Sequence, residues 1–428
     1  MRSKFAIGML CLASLVLPLA GNAAGPEYQE LRPQLKKVHP RLFLTPETKK
    51  TFADDVKRLA MKDFEALKAH VDSLPDNPEI TLRPRYTKMQ DGKIIFIRNI
   101  GDQNHVIAGL KNGDAGLYAV ECVIAYFVTN EAKYKEKALR YAQNALDIFA
   151  LSDRSEIMPE WFHYNRLCML ITYDWLYPEL SVEQRKSIIV PLIQHIEHMR
   201  LAKYKKDNGG YTSGNYGEPG LMWFAGVTAA GDGFCDELAE NLLSLGYAHV
   251  RKMMDFRDDS SGGSGVLASI AEGYTFANYP FATFNFLHTL QSGFGIDGTK
   301  YWNQMRDYPK SVAWMVIPYR GAGEEFLNYG WGDTCHYRNN IWGMKWLYAH
   351  MAQCIHFYGE NPVARAILAH LPEKFNGYYE YLTYLPFLPF VVRNFDPKAN
   401  VCADPAKALD TGIAYTFPSF GLTVMRSG

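Results

Sequence analysis

Four short stretches hold most of the side chains that could do chemistry. The first, "GGYTSGNYGEPG" (Gly209–Gly220), sets Tyr211, Asn215, Tyr216 and Glu218 in a polar, glycine-rich loop directly before the apolar run "LMWFAGVTAAG". The second, Asp258–Phe284, leads from a Gly/Ser-rich loop into "EGYTFANY", which carries Glu272, Tyr274 and Tyr279. The third, "NYGWGDTCHYRNN" (Asn328–Asn340), gathers Trp331, Asp333, His336 and Arg338. The fourth, "PEWFHYNR" (Pro159–Arg166), adds Trp161, His163, Tyr164, Asn165 and Arg166. Amide, imidazole, guanidinium and phenol groups in aromatic loops can bind an anionic ligand and move protons; β-elimination at a 4-linked uronate is one reaction that asks for such a set. That reaction removes the C5 proton, which is only weakly acidic beside an ionised carboxylate. An Asn or His hydrogen bond, an Arg or a metal must neutralise the carboxylate, a base takes the proton, and an acid protonates the leaving oxygen. Tyrosine can serve as both if nearby positive charge lowers its pKa from the ordinary ~10.

Each stretch also has a plainer reading. Asn215 can cap the helix that follows, and either tyrosine of the second stretch can sit on a packed helix. Tyr274 and Tyr279 fall about 140° apart on a helix, so both cannot readily face one sugar, and Tyr274 is the nearer to the loop. In the third stretch Asp333 can cap a helix while Arg338 is solvated; otherwise Arg338 binds a carboxylate or sulfate through its planar fork, with His336 as neutraliser or base. Trp161, His163, Tyr164 and Arg166 read as a subsite wall, and Tyr211, Tyr216 and Trp331 as sugar-stacking rings. His195 and His198 stand at i,i+3 in "HIEH", but a polar flanking face and no carboxylate partner in view make them solvent-facing. No metal or other cofactor is expected.

The elements that must position these residues are mostly helices. Thr45 and Pro46 open one as N-cap and first helical residue. From there to about residue 372 the apolar spacing is helical, as in "GDAGLYAVECVIAYFVTN", "KYKEKALRYAQNALDIFAL", "NRLCMLITYDWLYPEL", "SVEQRKSIIVPLIQHIEHMRLAKY" and "CDELAENLLSLGYAHVRKMMDF". No strict repeat period accompanies them. Residues 393–410 read as a linker with two Asp-Pro steps, and residues 411–428, "GIAYTFPSFGLTVMRSG" among them, alternate like a strand pair that begins a β-rich domain.

Composition narrows the partners. Lys and Arg number 45 against 45 Asp and Glu, so no global charge points to nucleic acid, while 27 Tyr and 8 Trp supply rings for sugars. Residues 1–24 read as a signal peptide, with Arg2 and Lys4, an apolar run from Phe5 to Leu19 and small residues before Gly25. Export to the periplasm or beyond follows. That run is shorter than the ~20 apolar residues of a membrane span, and no later segment is long enough. The cysteines after the leader are scattered without a CxxC pair, which suits buried free thiols rather than a disulfide framework or a zinc ribbon.

"HPRLFLTPE" (His39–Glu47), "YDWLYPELSVEQR" (Tyr173–Arg185) and "FPSFGLTVMRSG" (Phe417–Gly428) resemble heparinase II/III-type polysaccharide lyases, in order along the chain. The resemblance implies an all-α, incomplete (α/α) toroid over residues 25–392, followed by the first strands of an antiparallel β-sandwich. It also implies action on an acidic, uronate-containing polysaccharide such as heparan sulfate, chondroitin or alginate. In heparinase II-like members a His precedes a Glu by three residues at this loop; here Asn215 and Glu218 hold those positions. Asn is the carboxylate-neutralising residue in other lyases of the wider group. An EGxxYxxY-like pattern matches at Glu272, Gly273 and Tyr279, with Phe276 where a first tyrosine is usual, which leaves Tyr274 or Tyr279 as base. The family usually draws a further His from the sandwich, so this chain alone is expected to be weakly active or inactive. Two other functions use the same residues: a glycoside hydrolase with Glu218 paired to Asp333 or Glu272, ~5–10 Å apart, and glycan capture without catalysis.

Overall fold

Thr45 caps the first well-defined helix as its sequence predicts. Its hydroxyl accepts from the Thr48 amide, and Pro46 opens α2 (Pro46–Lys50). The computed structural model describes residues 25–98, 105–160, 162–202, 218–267, 278–320, 326–328, 346–371, 385–399 and 414–425. Before α2, the segment from Gly25 through α1 (Tyr28–Leu31) straps across a distant helix, α10 (Asp236–Ser261). Tyr247 Oη donates to Pro26 O, Arg251 pairs with Glu27, and Arg32 pairs with Glu240.

Helices α3 (Phe52–Leu59) and α4 (Met61–Ser73) lead into the main body. Its long helices alternate between two kinds. α5 (Ala115–Thr129), α7 (Tyr164–Leu176), α9 (Glu218–Ala229) and α11 (Asn278–Phe294) are apolar almost all round, and every residue of α7 is buried. α6 (Ala132–Ser155), α8 (Val182–Leu201) and α10 bury one stripe and turn charged residues to solvent. A helix without a polar face must be covered on every side, so the first kind forms an inner row and the second an outer one.

Side-chain pairs fix the directions. Between α5 and α7, Gly116 meets Asn165 at one end and Phe127 stacks on Trp175 at the other. Between α7 and α9, His163 faces Phe224 while Tyr173 reaches Asp232, just beyond α9. Trp223 donates to Thr289, and Gly293 lies against Val227, so α9 and α11 also run together. α13 (Leu347–Tyr358) continues the row, with Phe281 on His350 and His288 on His356. The inner helices are therefore parallel neighbours. Each outer helix returns the chain, as α10 does against α9, where Gly226 packs on Leu243 and Gly246 on Trp223.

Three antiparallel strand pairs decorate the described residues. Two lie within the stretch whose spacing reads as mostly helical. β1 (Thr87–Gln90) and β2 (Lys93–Phe96) turn through Asp91 and Gly92, both at positive φ, a two-residue turn of the kind Asp-Gly favours. After α12 (Tyr308–Met315) come β3 (Val316–Arg320) and β4 (Phe326–Asn328). The third pair, β5 (Ala414–Phe417) with β6 (Leu422–Met425), forms where alternation predicted it. It is seated on the helices: Phe417 is buried, Ser419 donates to Ser261 O, and Tyr415 stacks on Trp314. Asn361 caps α14 (Pro362–His370). The segment expected as a linker from residue 393 begins packed, with Phe395 buried and Arg365 donating to Asp396 O.

Candidate functional site at the N-terminal ends of the inner row

Parallel neighbours start at the same end. The fourth, first and second stretches run into the starts of α7, α9 and α11, so these three lead into one end of the inner row; the third ends seven residues before α13 begins. Helix N-termini also gather the positive ends of their dipoles there, which favours anions. Trp161, Tyr211, Asn215, Tyr216, Glu272, Tyr274, Trp331, Asp333, His336 and Arg338 lie outside the described residues. Glu218 is the first residue of α9.

The α5–α7 corner of this end is built on Glu160, which sequence reasoning passed over. Its carboxylate accepts from the Asn165 amide at 3.0 Å, from Asn165 Nδ2 at 3.0 Å and from the Arg166 amide at 3.3 Å, with Arg166 Nε 3.6 Å away. Glu160 thus serves the open N–H groups of α7. Burial pushes its carboxyl up to about 7, outweighing Arg166 and the amide donors. Asn165 performs the equivalent service for α5, its Oδ1 accepting from Gly116 N and Leu117 N at 3.0 and 3.3 Å. Arg166, His163 and Tyr164 are all buried, Arg166 toward Glu160 and His163 toward Phe224. This stretch therefore anchors the wall from within rather than presenting these three side chains to solvent. Asn165→Ala is expected to cost about 2 kcal/mol, because it leaves α5 amides and Glu160 short of partners. A denaturant midpoint within experimental error of the parent would count against that role.

Tyr279 is also inside. It is fully buried on α11, with the Arg257 guanidinium 3.5 Å over its ring. Arg257 in turn donates to Tyr279 O and Thr283 Oγ1. Burial pushes the phenol up to about 12, Arg257 opposing only in part. That is the wrong direction for a base, and the position is that of a core tyrosine.

His195 corrects an expectation. It is buried, not solvent-facing, and has a carboxylate partner: Asp153 of α6 lies 2.9 Å from its Nδ1, and Phe149 stacks on its ring. Position 195 sits on the same stripe as Leu192 and Met199, so packing against α6 overrides its polar neighbours. His198, 3.7 Å from Asp153, stays half exposed. Among the described residues no group of three metal-ligating side chains forms.

The first two family-like stretches meet in a buried polar knot at the opposite end. His39 Nδ1 lies 2.6 Å from Asp174 and Nε2 2.9 Å from Asp232. Asp174 also accepts the amides of Arg41 and Leu42, and Trp175 donates to Leu42 O. Arg41 and Tyr173 complete the Asp232 shell, and Tyr177 stacks on the imidazole at 3.8 Å. Sealed from solvent, the knot holds residues 39–42 to the body and can bind no substrate. An open groove of about 580 Å³ at this same end is lined by Cys235, Asp236, Glu237, Leu238 and Asn241. Burial and Asp236 push the Cys235 thiol up to about 11, which makes it a poor nucleophile. Cys122, Cys168 and Cys354 are free and buried, as expected.

No described helix is long and apolar enough to cross a membrane. Comparison of the sequence with protein-family models and with curated proteins finds no match to either.

Proposed function

We propose that the chain is an exported polysaccharide lyase that cleaves an acidic, uronate-containing glycan by β-elimination, its helical rows forming an incomplete (α/α) toroid. One observation carries the reading: the parallel inner helices bring the entry points of three of the four chemically rich stretches to one end, where helix dipoles favour a carboxylate. On this reading Asn215 neutralises the uronate and Tyr274 exchanges the proton, since Tyr279 is buried with a raised pKa. His336 or Arg338 assists, and Trp161, Tyr211, Tyr216 and Trp331 stack on sugars.

The test is incubation with alginate, heparan sulfate and chondroitin, followed in the ultraviolet for the double bond that only elimination creates. At least one polymer is expected to give that product, with Asn215→Ala slowing it about 100-fold, the typical loss of an electrostatic stabiliser. New reducing ends without the chromophore would replace this reading with hydrolysis by paired carboxylates. Absence of both binding and product with all three would end it as well.

A further inference from the structure

The β1–β2 hairpin concentrates charge in a chain whose total is zero. Between Thr81 and Arg98 stand Arg83, Arg85, Lys88, Lys93 and Arg98, with Asp91 the sole acid, and Lys111 joins them through its backbone bond to Thr81 O. All six cations are exposed, and none forms an ion pair among the described residues. The register puts Thr87, Met89, Ile94 and Phe96 on one face, of which Thr87 and Ile94 are buried against the body. Lys88 and Lys93 therefore share the outward face. Burial lowers the pKa of nearby His105 to about 4, and Arg83 adds to that shift.

Backbone bonds place this hairpin beside the candidate site. Arg83 N donates to Gly109 O, and Val106 N and Ile107 N donate to Met158 O and Pro159 O, next to Glu160. Ile94 N donates to Ser155 Oγ at the end of α6. The hairpin thus stands at the same end as the inner-helix N-termini.

We infer that the hairpin is an electrostatic rail that holds a polyanionic glycan strand as it enters the site. The choice of glycan rests on the function proposed above; the rail itself rests on charge, exposure and position. A row of exposed cations with no ion pair among the described residues, on a two-stranded support, suits a long polymer with repeating carboxylates or sulfates better than a single small anion.

The test compares Lys88→Gln/Lys93→Gln and Arg83→Gln/Arg85→Gln with a control, Lys57→Gln/Lys62→Gln, whose lysines are exposed on α3 and α4. Binding of long-chain alginate and heparin is measured at several salt concentrations, with double-stranded DNA and anionic phospholipid vesicles alongside. Each hairpin variant is expected to lose about 3- to 10-fold in glycan affinity at low salt and to show a flatter salt dependence, as loss of two exposed charge contacts implies. The control should bind like the parent. Unchanged glycan affinity and salt slope in both hairpin variants would overturn the rail. So would hairpin-dependent binding of DNA or vesicles that exceeds glycan binding. Because binding is read without turnover, glycan binding that needs the hairpin but yields new reducing ends without the unsaturated product would sink the lyase and keep the rail. Elimination with hairpin-independent binding would do the reverse.

Discussion

Asp174→Ala is expected to destabilise the protein by about 3–5 kcal/mol, the range for removing one partner of a buried ion pair. Asp174 holds three groups at once, His39 and the amides of Arg41 and Leu42, all of them buried. Truncation strands those donors with no solvent to take them up. The remaining carboxylate, Asp232, would have to neutralise both His39 and Arg41. Asp174→Asn keeps the shape and loses the charge, so it should fall between parent and alanine. Denaturant unfolding measures both, and an alanine variant within about 1 kcal/mol of the parent would show that the knot is dispensable. A pH dependence follows. Burial lowers the His39 pKa, but hydrogen bonds to Asp174 and Asp232 outweigh it, and the net shift is upward from 6.5. A raised folded value means that this stabilisation is complete below the ordinary imidazole value and fades as pH climbs through the folded one. His39→Gln should flatten that part of the stability profile; an unchanged slope would assign it elsewhere.

Gly246→Val is expected to cost about 3 kcal/mol, as overpacking does when nothing can yield. A β-carbon at Gly246 would overlap the backbone nitrogen of Trp223, and one at Gly226 would overlap the backbone of Leu243. The two glycines face each other's helices, so α9 and α10 touch main chain to main chain. No flexible side-chain end is available to move aside. Gly246→Ala gives the sharper comparison, because in an open helix that change would stabilise by about 1 kcal/mol. Here it should destabilise despite that gain. An alanine variant as stable as the parent would mean that the pair can separate without cost.

Helix identity was legible because the apolar periods are long, and even the choice of row could be read from charge. "AGLYAVECVIAYFVT" has no polar face to expose, whereas "DELAENLLSLGYAHVRKMMDF" plainly does. The β1–β2 hairpin was legible in principle from Asp91-Gly92, but its strands are four residues each, too short to break a helical trend. His195 was misread because one helix considered alone cannot show that Asp153 of another will meet it. Glu160 was overlooked because its partners, Asn165 and Arg166, looked like surface chemistry until the α5–α7 corner closed around them. The stretches around His39 and Tyr173 pair across 135 residues, and that pairing left no local trace.

The knot also sets an order of events during synthesis. His39 precedes Asp232 by 193 residues, and Arg41 precedes its partner Ser292 by 251. At roughly 5–20 residues per second, about 10–40 s separate the emergence of His39 from that of Asp232. Meanwhile α5 and α6 can pair as soon as both have left the ribosome, since Asn130 and Glu131 alone join them. The strap, translated before the body, is therefore among its last parts to dock. A nascent chain carries the strap and residues 39–42 undocked until the turn after α9, and then α10, arrive to receive them.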